Sequence, residues 1–92
     1  MAETKSLAKT FNALGDPTRF ELFKLISGEN TTCVSQLAHK LEISPACVSQ
    51  HMKILADAGL VERLRDGQRV CYQIADTSEE NKLLSELIFK VN

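Results

Sequence analysis

The sequence lacks the features that mark several large classes of protein. It contains no tryptophan, only two prolines in 92 residues, and no apolar run long enough to cross a membrane. Its first residues lead into an amphipathic pattern without the apolar segment of a signal peptide, so we expect a cytoplasmic chain. A chain of 92 residues supports a single domain, 1–92, near the small end of what one core stabilises. A partner subunit is therefore expected.

Motifs of enzymes and metal sites are also missing. No Gly-rich phosphate loop is present, and no nucleophile, base and orienting group stand at a recognisable spacing. The three cysteines form no Cys-x-x-Cys pair, and there is no His-Glu-x-x-His motif. We therefore predict no enzyme, no metal site and no cofactor, with a metal or metalloid ion bound by thiols as the alternative. In a cytoplasmic chain, the cysteines also predict no structural disulfide.

Charge of the two signs is nearly balanced. The chain has 11 basic and 12 acidic residues and a net charge of −1, which by itself argues against nucleic acid because many nucleic-acid-binding domains are basic. Residues 44–72 are the only positive third, with four basic and three acidic side chains. This distribution predicts a modest, salt-sensitive affinity for DNA, which two subunits on one duplex would raise.

Residues 44–59 have the pattern of one capped helix. Ser44 is a favourable N-cap, and Pro45 suits the first helical position because its missing N–H has no partner there. Gly59 ends the segment. Apolar residues at three- and four-residue steps predict a stripe that faces a core. These residues are Val48, Met52, Leu55 and Ala56.

The opposite face of this helix carries small and polar side chains that suit a DNA groove. Gln50 can bond bidentately to an adenine edge, Ser49 can donate or accept, and Lys53 can reach a phosphate. A merely solvated surface is the alternative interpretation of this face. The predicted DNA contacts here are Ser44, Ala46, Cys47, Ser49, Gln50, His51 and Lys53.

The neighbouring segments predict a helix-turn-helix followed by a hairpin. A helical pattern at about 33–41 precedes the capped helix by a very short connection, so the helix-turn-helix spans about 33–58. After Gly59 the apolar period changes to two, and Asp66-Gly67 separates two strand patterns in a wing at about 60–74. Arg65, Gln68 and Arg69 near the tip are predicted to meet the DNA backbone, with charges that serve only solubility as the alternative.

Helices are also predicted at about 4–14, 17–27 and 78–91. Asp16 is the predicted N-cap of the second, and Arg19 near its start is interpreted as an ion-pair partner or a phosphate contact. The first and last helices have apolar faces too wide for one docking contact, so we predict that they pair with their copies in a second subunit. The predicted dimer interface consists of Leu7, Phe11, Leu14, Leu83, Leu84, Leu87, Ile88 and Val91.

Five segments in this order, at 13–19, 34–38, 43–55, 58–61 and 66–74, resemble the ArsR family of winged-helix repressors over nearly the whole chain. The resemblance implies a mainly α-helical fold with a small β-hairpin (α+β), a winged helix-turn-helix whose dimer is formed by the first and last helices. It also implies a homodimer that binds an inverted-repeat, double-stranded operator and is released by an effector. A winged-helix protein-interaction module without DNA binding is the alternative.

The effector sites of that family have no full counterpart here. Arsenic-sensing members carry Cys-Val-Cys where this chain has Cys33, Val34 and Ser35, and zinc-sensing members carry histidines on the last helix, where residues 76–92 have none. Members that sense persulfide or oxidant use a cysteine where this chain has Lys24. Cys33, Cys47 and Cys71 are therefore either small structural residues or effector or redox sites; near a helix N-terminus, Cys47 is the candidate for oxidation or alkylation.

Overall fold

The computed structural model describes residues 2–28, 31–75 and 78–91. The predicted architecture, five helices with a small β-hairpin, is confirmed, and helix boundaries differ from the predicted ones by a few residues at most. Within these ranges, no helix is long and apolar enough to span a membrane. In chain order the elements are α1 (Ala2–Leu14), α2 (Pro17–Ser27), β1 (Thr32–Cys33), α3 (Val34–Leu41), α4 (Pro45–Asp57), β2 (Val61–Asp66), β3 (Arg69–Ile74) and α5 (Glu79–Phe89).

Two helices begin at the predicted caps. The carboxylate of Asp16 accepts from the backbone N–H of Arg19 at 3.0 Å, and the hydroxyl of Ser44 accepts from the backbone N–H of Cys47 at 3.1 Å. A proline follows each cap and occupies the first helical position. Gly59 has φ +76° just after α4, a conformation that L side chains rarely adopt, so the chain turns there into β2.

The core lies between α2, α3, α4 and the inner face of the hairpin. Leu22, Phe23 and Ile26 of α2 are fully buried, so α2 is the central helix of the domain. The predicted stripe of α4 faces this core, with Ala56 only half-buried at its edge. The fully buried large side chains are Phe23, Leu22, Ile26, Leu37, Met52, Leu55, Leu60 and Val48.

The wing is part of a three-stranded antiparallel sheet in the order β1-β3-β2. The turn between β2 and β3 consists of Gly67 and Gln68, whereas the sequence predicted Asp66 and Gly67. Asp66 is instead the last residue of β2 and pairs with Arg69 across the ladder. Gly67 has φ +63°, which suits the first central position of a two-residue hairpin turn.

A disulfide joins Cys33 to Cys71, so the prediction of no structural disulfide is wrong. The two residues of β1 pair with β3, which sets Thr32 opposite Tyr72 and Cys33 opposite Cys71. No pattern in the sequence indicates this contact, because a two-residue strand has no apolar period to detect. Cys47 is the free cysteine and is half-buried on α4.

The apolar surface of α1 and α5 is smaller than predicted. Leu14 and Ile88 are 8% and 5% exposed and belong to the core of the chain, and Leu84 packs against that core. They are therefore core residues in the single chain, because α1 and α5 also dock on α2. Leu7, Phe11, Leu83, Leu87 and Val91 are exposed as predicted, and Phe89 is exposed as well.

Candidate DNA-binding surface

The outward face of α4 is formed by Ala46, Ser49, Gln50 and Lys53. These residues are spaced at i, i+3, i+4 and i+7, which places them on one side of a helix, and all four are exposed. The buried residues Val48, Met52 and Leu55 lie on the other side and fix the rotation of α4 about its axis. The predicted contact face is therefore one continuous surface, with exposed Ser44 at its N-terminal end.

Two predicted contacts, Cys47 and His51, lie at the edge of this face. Both are half-buried, and the buried Nδ1 of His51 has no hydrogen-bond partner among the described residues. His51 is close enough to Asp16 to act on its charge. The pKa of Asp16 lies below its ordinary value mainly because the N–H of Arg19 donates to it, with smaller contributions from the charges of Arg19 and His51.

The wing presents three predicted contacts at its tip. Arg65, Gln68 and Arg69 are exposed. Arg65 lies near the end of β2, Gln68 lies in the turn, and Arg69 is the first residue of β3. Asp66 pairs with Arg69 across the ladder. The tip therefore carries two cationic side chains and one anionic one in a short span, which gives it a modest positive charge.

A groove of about 310 Å³ joins α4 to the wing. We call it the α4–wing groove; Ser49 on one side and Gln68 and Arg69 on the other are predicted contacts that it brings together. Ser35 and Pro45 also line the groove and were not among the predicted contacts. Ser35 is the second residue of α3. Its place near the start of the helix-turn-helix was the only sequence feature that could have indicated a contact. The lining residues are Cys33, Val34, Ser35, Pro45, Ser49, Gln68, Arg69 and Val70.

The side chain of Arg19 connects the start of α2 to the end of α1. Its Nε donates to the carbonyl oxygen of Ala13 at 2.8 Å, which satisfies an acceptor near the C-terminal end of α1. The side chain is half-buried, and its charge also acts on Asp16. Of the two interpretations of Arg19, the intramolecular role fits these contacts.

Asn81 fixes the base of the wing and was missed from the sequence. Its side-chain amide donates to the carbonyl of Gly59 at 2.8 Å and to the carbonyl of Ala75 at 3.0 Å. These carbonyls precede β2 and follow β3, so one buried side chain on α5 holds both ends of the hairpin. The sequence does contain a signal for this role. Asn81 is a polar residue three positions before Leu84 and seven before Ile88, which places it on the inner face of α5.

Within the described residues, no group of three or more His, Cys, Asp and Glu side chains is arranged to hold a metal ion. The polar groups of this surface are instead donors and acceptors spread along one side of the molecule. Such an arrangement suits hydrogen bonding to an extended polyanion.

Comparison with known proteins agrees with this architecture. A family model described as bacterial regulatory protein, arsR family, matches residues 16–63. The chain is 34% identical over 89 residues to an uncharacterized helix-turn-helix-type transcriptional regulator of Methanocaldococcus jannaschii, covering 95% of this chain and 100% of that protein. It is 36% identical over 91 residues to the arsenical resistance operon repressor of Bacillus subtilis, with 94% and 86% covered.

Solved structures extend the similarity to the whole fold. The homodimeric winged helix-turn-helix DNA-binding domain from Mycobacterium bovis has a TM-score of 0.82 at 26% identity, covering 95% of this chain and 78% of that one. HlyU from Vibrio cholerae has a TM-score of 0.83 at 27% identity, covering 94% and 90%. These relatives are regulators and not enzymes, as the sequence predicted. The chain belongs to the arsR family of bacterial regulatory proteins and is a DNA-binding transcriptional regulator with a winged helix-turn-helix fold.

Proposed function

We propose that the protein is a homodimeric repressor that recognises an inverted-repeat operator in the cytoplasm, with α4 in the major groove and the wing on the backbone. The observation that carries this proposal is the α4–wing groove, where Ser49 faces Gln68 and Arg69. Readout of bases requires a helix that enters the major groove, and phosphate contacts beside it fix the register of that helix.

The proposed contacts divide into two classes. Gln50 and Ser49 contact base edges, with Ala46 close to the groove floor, because they lie at the centre of the exposed face of α4. Lys53, Arg65 and Arg69 contact phosphates, since their long cationic side chains lie around that centre. Cys47 and His51 lie at the edge of the surface, where they can contribute only at its margin.

The second subunit supplies the second half-site. The exposed leucines of α1 and α5 lie on helices outside the helix-turn-helix, so pairing them leaves α4 free. A two-fold axis then presents two copies of α4 to one side of a duplex, about 34 Å apart if they enter successive turns of the major groove. Two weakly positive surfaces acting together compensate for the net charge of −1.

The proposal includes no resident metal or cofactor, and release by an effector stays a prediction. Cys33 and Cys71 are bonded to each other, so Cys47 holds the free thiol. A single thiolate is a poor site for a soft metal ion, which takes several sulfur or nitrogen ligands.

The test measures fluorescence anisotropy with the duplex upstream of the protein's own gene and with a scrambled duplex of the same length. Gln50→Ala should lose about 1–3 kcal/mol of discrimination between the two duplexes for each half-site, because one bidentate base contact disappears from each subunit. Arg69→Ala is the matched phosphate variant: it should weaken binding to both duplexes alike and reduce the salt slope by about one for each subunit.

The two variants must behave differently for the assignment of roles to hold. Identical effects of both variants on both duplexes would contradict it. Absence of binding to either duplex even at low salt would instead favour a winged-helix module that binds protein.

A further inference from the structure

Cys33 and Cys71 join the two halves of the proposed DNA-binding surface. Cys33 ends β1 and is the N-cap of α3, and Cys71 lies two residues after Arg69 on β3. The two cysteines are 38 positions apart in sequence. The loop that they close contains α3, α4, β2 and the wing tip, and therefore every residue proposed to contact DNA.

Few other contacts hold β1 to the wing. The strand has two residues, and its pairing with β3 consists of Thr32 with Tyr72 and Cys33 with Cys71. The buried hydroxyl of Thr32 has no hydrogen-bond partner among the described residues, so it adds no polar bond there. Cys71 is also the buried residue of β3 nearest the tip, since Val70 is half-buried and Arg69 exposed.

We propose that Cys33 and Cys71 form a dithiol/disulfide switch that sets DNA affinity through the position of the wing. This inference rests on the proposed function and concerns the regulation of the same surface. The disulfide fixes the spacing between the start of α3 and the wing tip across the α4–wing groove. Because a binding element that is already ordered loses less entropy on association, the disulfide form binds DNA more tightly than the dithiol form.

The exchange step follows from which sulfur is reachable. Both cysteines are buried, but Cys33 lines the groove and is 8% exposed, whereas Cys71 does not line it and is 2% exposed. The thiolate of Cys33 attacks one sulfur of a low-molecular-weight disulfide, whose S–S bond breaks and releases one thiol. The thiolate of Cys71 then attacks the sulfur of Cys33, which forms the internal bond and releases the second thiol. Two electrons pass to the reagent, and the two protons from the cysteines end on the released thiols.

Variants can separate this pair from the third cysteine. Cys47→Ser removes the free thiol on α4 and leaves the pair intact, so it is the parent protein for the test. Cys33→Ser places at the N-cap of α3 a residue that favours that position, and Cys71→Ala removes one sulfur atom from the strand. Circular dichroism of the triple variant checks that it folds.

The experiment compares Cys47→Ser oxidised by glutathione disulfide with the same protein reduced by dithiothreitol. Alkylation in denaturant followed by mass spectrometry counts the thiols in each form. We expect the oxidised form to bind the upstream duplex about fivefold or more tightly than the reduced form. The triple variant should bind like the reduced form and ignore both reagents. Hydrogen exchange at the wing should be faster in the reduced form.

Each outcome has one meaning. Equal affinities, tighter binding by the reduced form, or wing exchange indifferent to reduction would overturn the switch. Preference for the upstream duplex without a redox difference overturns the switch alone and leaves the proposed function in place. Failure of both forms to prefer that duplex contradicts the proposed function and the switch together.

Discussion

Asn81 is the residue whose side chain joins α5 to both ends of the wing. Its amide serves the carbonyls of Gly59 and Ala75 at once, and its side chain is buried. Asn81→Ala should lower the free energy of unfolding by about 1–3 kcal/mol, because the carbonyls of Gly59 and Ala75, the second of them buried, lose their donor. Urea unfolding followed by circular dichroism measures this change.

The control for this prediction is the next residue. Lys82→Ala removes an exposed side chain from the same turn of α5 and should change stability by about 0.5 kcal/mol or less. Equal effects of the two substitutions would contradict the role of Asn81 at the base of the wing.

Asp16 gives the stability of the fold a dependence on pH. The N–H of Arg19 donates to its carboxylate and, with the charges of Arg19 and His51, holds the pKa of Asp16 below its ordinary value. A carboxyl whose pKa is lowered by folding stabilises the native state above its unfolded pKa, and this contribution is lost as the pH falls through the folded pKa. Asp16→Asn keeps a capping side chain but cannot ionise.

The stability difference between wild type and Asp16→Asn should therefore be constant above about pH 5 and shrink below about pH 4. Urea unfolding of both proteins between about pH 3 and pH 6 measures it. Parallel stability curves across this range would show that the ionised carboxylate has no favourable partner in the native state.

Residue-level predictions from sequence succeeded where the cause is local. The caps Asp16 and Ser44 depend on the following three residues, which the sequence displays directly. The partial burial of His51 on α4 is a tertiary effect, and no period of α4 reveals it. The inward amide of Asn81 is hidden for the same reason, since its acceptors belong to another element.

At the scale of elements, the helices and the hairpin were predictable and β1 was not. Helices α2 and α4 carry both an apolar period and a cap, two independent signals for the same boundaries. β1 has two residues and exists because β3 lies beside it. The disulfide depends on that pairing, so missing β1 also meant missing the bond between Cys33 and Cys71.

The wing turn depends on the backbone of Gly67. Its φ is +63°, and a side chain there would meet nothing within 4 Å, so any cost of substitution is conformational rather than steric. Gly67→Ala should destabilise the protein by about 1–2 kcal/mol. Gly67→Asn should cost less, because asparagine tolerates positive φ better than alanine.

Urea unfolding of these two variants measures the costs, and hydrogen exchange at the tip reports whether the hairpin opens locally. A smaller effect for alanine than for asparagine would contradict the role assigned to the backbone. The comparison matters for function because Gln68 and Arg69 follow Gly67 directly and depend on the turn for their position.

At the scale of the whole molecule, the order of the elements was more informative than any one of them. The family model matches residues 16–63, which hold α2, the helix pair α3 and α4, and the start of β2, and the hairpin follows directly. The sequence could not divide the apolar residues of α1 and α5 between the core and the surface. Leu14 and Ile88 lie in the core because both helices pack on α2. Apolar periodicity alone does not distinguish a residue buried in the core from one exposed for a partner subunit.

The remaining exposed leucines lead to the final prediction, which concerns the dimer. Leu83 and Leu87 are 62% and 65% exposed and lie one turn apart on α5, so neither contributes much to the core of a single chain. The double substitution Leu83→Glu/Leu87→Glu should leave the circular dichroism spectrum unchanged. It should yield a species of the monomer mass, 10.2 kDa, by sedimentation, because burying two carboxylates at an interface is costly.

Affinity for the upstream duplex should then fall by about a hundredfold or more, since each monomer binds one half-site without the gain from linkage. Lys82→Glu is the matched control: it changes the net charge by the same two units but leaves the apolar face intact, so it should remain dimeric. A wild-type protein that sediments as a monomer at micromolar concentration would contradict the dimer itself. A double variant that stays dimeric would place the interface elsewhere than on α5, and the two copies of α4 would then need another two-fold axis to meet one operator.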